Sequence, residues 1–107
     1  MKLILAIVSN DDTSSLIKAL AKEKFQTTKL ATTGGFLSKG NTTLITGCND
    51  DDVDKVIEII GAQSKKRTEL VPSTIPFESG EMITTPIEVT VGGATIFVLN
   101  VEDFKKI

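Results

Sequence analysis

The chain has 107 residues, 40% of them hydrophobic, and a formal net charge of −2. That length supports one domain around one core, and the absence of any long basic block argues against sequence-independent binding to DNA or RNA. Histidine, tyrosine and tryptophan are absent, which excludes histidine acid–base chemistry, a Ser-His-Asp triad and a histidine-ligated metal; nothing in the remaining residues points to an enzyme.

Residues 2–8 place Leu3, Leu5 and Ile7 on one face and Ile4, Ala6 and Val8 on the other. An extended segment apolar on both faces predicts a central strand covered on both sides. The run stops at Ser9-Asn10-Asp11-Asp12 after a single basic residue, so it reads as a strand and not as a targeting segment. No apolar run approaches the ~20 residues that span a bilayer, so no membrane partner is expected. Asp11-Asp12-Thr13-Ser14 offers N-caps for a first helix, whose apolar stripe is Leu16, Ile17, Leu20 and Ala21 and which ends near Lys22–Lys24. Residues 25–33 read as a threonine-rich second strand broken by Gly34-Gly35, and residues 41–48 as a third.

Cys48, the single cysteine, reads as a small core residue; one cysteine allows no internal disulfide and suits a reducing, cytoplasmic location. Asn49-Asp50-Asp51-Asp52 opens a second helix with Val53, Val56, Ile57 and Ile60 on one stripe; helix-start electrostatics accounts for the aspartates better than a calcium site does. Lys65-Lys66-Arg67 reads as the cationic end of that helix. Residues 70–85, with Pro72, Pro76 and Gly80, and Pro86 just beyond, read as a long irregular loop. Residues 87–91 and 94–99 flank Gly92-Gly93, a hairpin signal, and Asp103-Phe104 suggests a short terminal turn.

This order predicts an α+β, ferredoxin-like βαββαβ sandwich with an additional hairpin strand. Both helices then cover one face of the sheet. The other face, apolar along residues 2–8 and 95–99, needs a cover, which a symmetric oligomer supplies.

From Thr28 to Thr43 the chain packs three glycines, five threonines, Asn41 and Phe36 into one stretch. Glycines admit close backbone approach, the aromatic ring offers a stacking face, and the hydroxyls and amide read base edges or phosphates. A nucleotide fits that mixture. The spacing Gly35-x-x-x-x-Gly40 is no P-loop, because Asn41 stands where the lysine belongs.

The segments Lys29-Leu30-Ala31-Thr32-Thr33-Gly34-Gly35-Phe36-Leu37, Gly40-Asn41-Thr42-Thr43 and Glu88-Val89-Thr90-Val91-Gly92-Gly93-Ala94-Thr95-Ile96-Phe97-Val98 resemble the PII-like cyclic-di-AMP receptor family, and the likeness runs from the first strand to Phe104. The resemblance implies a homotrimer of ferredoxin-like subunits with cyclic di-AMP in the clefts between them. It implies no catalysis and no cofactor, and signalling through loops to a protein target of unknown identity. By position it assigns Thr28, Gly35, Phe36, Leu37, Asn41 and Gly47 to the ligand, with Phe36 stacking on adenine. Gln26 stands where members often carry the arginine of Asn-Phe-Arg, and Lys24 where they carry its asparagine. Gly92 is first a turn residue and second a neighbour of the ligand. Two other readings remain: a diverged trimeric adaptor without a cyclic dinucleotide, and a binder of another adenine nucleotide such as ATP.

Overall fold

A computed structural model describes residues 1–33, 40–76 and 82–107, with backbone alone for 71–76 and 82–85. The elements are β1 (Lys2–Ser9), α1 (Asn10–Lys22), β2 (Thr27–Thr32), β3 (Asn41–Cys48), a 3₁₀ turn (Asp50–Asp52), α2 (Val53–Gln63), β4 (Arg67–Pro76), β5 (Met82–Val91) and β6 (Ala94–Asn100). Four strands form one antiparallel sheet in the order β2-β3-β1-β6, while β4 and β5, among the described residues, pair only with each other. The architecture is α+β and compatible with a ferredoxin-like fold.

β1 is central because both of its faces are apolar: it has β3 on one side and β6 on the other. Its residues Ile4, Ala6 and Val8 face the helices and are buried with Leu44 and Cys48 of β3, Leu16 and Leu20 of α1, and Val56 and Ile60 of α2. Each such aliphatic side chain contributes roughly 1.5–3 kcal/mol by leaving water. Of the predicted stripes, Leu16, Leu20, Val56 and Ile60 are buried and Ile17 and Val53 pack against them, whereas Ala21 is exposed and Ile59, not Ile57, joins the core.

The opposite face, built on Leu3, Leu5, Ile7 and Ile45, has no helix over it among the described residues. Phe97 and Leu99, which pair with Leu5 and Leu3 on this face, are about half exposed, at 52% and 46%.

Several boundaries differ from the sequence expectation. Helix α1 starts at Asn10, immediately after β1, so Ser9 occupies the N-cap position and Asp11 and Asp12 lie in the first turn, where their charge suits the dipole. Helix α2 ends at Gln63, so Lys65-Lys66-Arg67 does not belong to it.

The stretch from 70 to 85 is not an irregular loop. Much of it belongs to β4 and β5, which pair from Arg67↔Val91 to Pro76↔Met82. Pro72 stands opposite Pro86. In a two-stranded ribbon every strand has a free edge, and a residue without an N–H is tolerated there.

Nor does Gly92-Gly93 close a hairpin, since β5 belongs to the ribbon and β6 to the main sheet. Both glycines take positive φ, +84° and +77°, and turn the chain from one sheet into the other. A Cβ on Gly92 would stand 2.3 Å from the Lys65 carbonyl oxygen, so only glycine fits that corner. The expected terminal turn at Asp103-Phe104 is absent; the only feature there is a bend at Glu102.

Candidate ligand-binding site

Pairing, rather than sequence proximity, assembles the candidate residues. Leu3 lies opposite Gly47, Leu5 opposite Ile45 and Ser9 opposite Asn41. Thr28 pairs with Ile45 and Ala31 with Thr43, which leaves Leu30 as the extra residue of a bulge. The register thus sets Thr28, Ile45, Gly47 and Asn41 on the sheet face that the helices leave open.

Among the described residues, two concavities form on this face, toward opposite ends of β3. One, of about 500 Å³, brings together Gln26, Thr28 and Gly47 with Lys24, Leu3 and Phe104. The other, of about 280 Å³, holds Asn41 and Gly92 together with Ile7, Lys66, Gly93 and Thr95. The resemblance-assigned residues therefore fall into two groups. Gly35, Phe36 and Leu37 lie outside the described residues.

Lys24 reaches the larger concavity from a strained position. Helix α1 closes with the Lys24 amide donating to the Ala21 carbonyl and the Phe25 amide to the Leu20 carbonyl, both at 2.9 Å. That is a Schellman arrangement, which requires a left-handed residue between helix and strand. Lys24 supplies it at φ +67°, a conformation that glycine or asparagine adopts more readily. Phe25 then packs against the core and leaves Gln26 and Thr28 at the concavity.

At the same wall, the Met1 ammonium binds Asp50 at 2.9 Å and holds its carboxyl below the usual range. Cys48, buried next to this end of β3, has its thiol pushed up by burial and by Asp52 and Asp50, which disfavours the reactive thiolate.

Asn10 organises the other end. Its backbone amide donates to the Gly40 carbonyl and its side-chain amide to the Thr33 carbonyl, both at 2.9 Å, while its carbonyl accepts from the Thr42 hydroxyl at 2.5 Å. Thr33 and Asn41 close the neck: the Thr33 amide donates to the Asn41 carbonyl at 2.8 Å, and the Asn41 amide to the Thr33 hydroxyl at 3.1 Å. Asn41 is held by its backbone, and among the described residues its side chain makes no hydrogen bond and borders the concavity. A Cβ on Gly40 would lie 1.7 Å from the Thr33 oxygen, which accounts for a glycine beside Asn41.

Sequence reasoning did not assign Asn10 or Lys66. Asn10 reads as one more polar residue after a strand, and Lys66 as one charge in a basic run. Both gain their positions from tertiary pairing. Among the described residues no cluster of His, Cys, Asp and Glu could hold a metal ion, and no helix is long and apolar enough to cross a membrane.

The uncovered side of this α+β domain thus carries one largely apolar concavity with Lys24, Gln26, Thr28 and Gly47 at its wall, and one more polar concavity around Asn41, Lys66 and Thr95. The sequence model of the cyclic-di-AMP receptor family matches residues 1–107, the whole chain, and the protein belongs to that family. Among solved structures it is similar to a functionally unknown protein from Pediococcus pentosaceus ATCC 25745. The two share 39% identity with a TM-score of 0.74, over 99% of this chain and 96% of the other.

Proposed function

We propose that this protein is a non-enzymatic sensor that binds cyclic di-AMP between the copies of a PII-like homotrimer and signals through its loops and its β4–β5 ribbon. Family membership over the whole chain supports the ligand. The observation that carries the inter-subunit reading is the separation of the two residue groups. From Asn41 to Gly47, β3 advances about 20 Å at ~3.3 Å per residue. A ligand that touches Asn41 and Gly92 at one end and Gln26, Thr28 and Gly47 at the other draws most simply on two copies. The uncovered Leu3, Leu5, Ile7, Ile45, Phe97 and Leu99 supply an apolar surface for those copies to bury against each other.

The adaptor reading has one observation in its favour. Gln26 lines the larger concavity but has neither the charge nor the planar fork of arginine.

The test compares Thr28→Val and Asn41→Ala, one from each concavity, by cyclic di-AMP titration and sedimentation. Each variant lowers affinity about tenfold, the scale of a hydrogen bond to a charged group, and the mass is three times that of one chain. A monomeric mass, or unchanged affinity in both variants, defeats the proposal.

A further inference from the structure

The residues that follow α2, Ser64 to Arg67, have different tasks. Ser64 ends the helix, its hydroxyl donating back to the Ile60 carbonyl. The Lys65 carbonyl and the Asp12 carboxylate both accept from Arg67. Lys66 is left over. It lines the smaller concavity, with its Cε 3.7 Å from the point where a Cβ on Gly93 would stand. Among the described residues it forms no ion pair.

Two more side-chain donors line the same space without a partner. The Asn41 side-chain amide and the Thr95 hydroxyl make no hydrogen bond among the described residues, because the bonds of Asn41 run through its backbone. An ammonium, an amide and a hydroxyl thus border one concavity whose described lining residues include no carboxylate. At about 280 Å³ it is smaller than the ~300–1,000 Å³ of a whole small-molecule pocket, so it suits one group of a larger ligand. In a chain of net charge −2, an anionic ligand needs such a local cation.

We infer that Lys66, with Asn41 and Thr95, forms an anion subsite that takes a phosphate of the bound nucleotide. The inference rests on the cyclic di-AMP reading above. It supplies at one end of the sheet a charge that Gln26 does not supply at the other.

The test titrates cyclic di-AMP into the wild-type protein, Lys66→Gln, Lys66→Arg and Thr95→Val at low and high sodium chloride, with thermal midpoints to confirm folding. Lys66→Gln weakens binding about tenfold at low salt and loses part of the salt dependence, since one screened attraction is gone. Lys66→Arg stays near wild type, and Thr95→Val loses affinity without a change in salt dependence. Wild-type affinity and salt dependence in Lys66→Gln overturn the subsite and leave the sensor reading intact. No binding by the wild-type protein overturns the sensor reading, and the subsite with it.

Discussion

Arg67 and Asp12 meet across 55 residues of chain: Nη2 donates to Oδ1 at 2.9 Å and Nη1 to Oδ2 at 3.3 Å. Asp12 is buried in the first turn of α1 and Arg67 opens β4. The pair therefore pins the root of the ribbon to the helix turn that also holds Thr33, Gly40 and Thr42 through Asn10. A two-stranded ribbon is marginal by itself, so its root contacts decide whether it holds one orientation. The Asp12 hydrogen bond also raises the Arg67 pKa further above its ordinary value.

Removing Asp12 leaves the Arg67 guanidinium, among the described carboxylates, with only the longer, 3.4 Å contact to Glu69. Asp12→Ala is expected to lower Tm by about 5–10 °C, the scale of one charged hydrogen-bonded pair in a domain this size, and to quicken amide exchange at the base of β4 and β5. Thermal melts and hydrogen exchange check it; a wild-type melt with unchanged exchange at residues 67–70 and 88–91 contradicts it.

Lys24 carries a backbone penalty at φ +67°. Lys24→Asn is expected to stabilise the fold by about 1 kcal/mol, because asparagine tolerates the left-handed region. Urea unfolding measures this directly. Lower stability in the variant contradicts the strain argument.

Gln26 lines the larger concavity beside Thr28 and Gly47. Gln26→Arg introduces a fork that matches phosphate geometry, and cyclic di-AMP affinity is expected to rise about tenfold. Affinity equal to wild type places residue 26 away from the ligand's phosphates.

Cys48 is 6% exposed, and burial raises its thiol pKa from the ordinary value. A raised folded-state pKa means that the folded protein binds the thiol proton more tightly than the unfolded chain does. The associated stability is present below the unfolded thiol pKa and is lost as pH rises through the folded one. Iodoacetamide at neutral pH should leave the native thiol intact and modify it in denaturant; fast native labelling contradicts the burial.

Elements whose partners are encoded locally were legible in the sequence. The two-sided apolar pattern of Leu3 to Val8 marked a central strand, and the stripes of Leu16/Leu20 and Val56/Ile60 marked two core-facing helices. The ribbon was not legible, because Pro72, Pro76 and Pro86 signal broken structure unless each strand has a free edge. Gly92-Gly93 misled for a related reason. Two positive-φ glycines suit a tight hairpin, but β1 needed a second neighbour, and pairing with it draws β6 away from β5. The grouping of Gln26, Thr28 and Gly47 follows from register across β2, β3 and β1, which residue types alone do not set.

The most direct measurement is calorimetric titration of the purified protein with cyclic di-AMP, with cyclic di-GMP and ATP as comparisons. The account predicts selective binding of cyclic di-AMP at about one ligand per chain. No heat with cyclic di-AMP at high micromolar protein, or stronger binding of ATP, contradicts it.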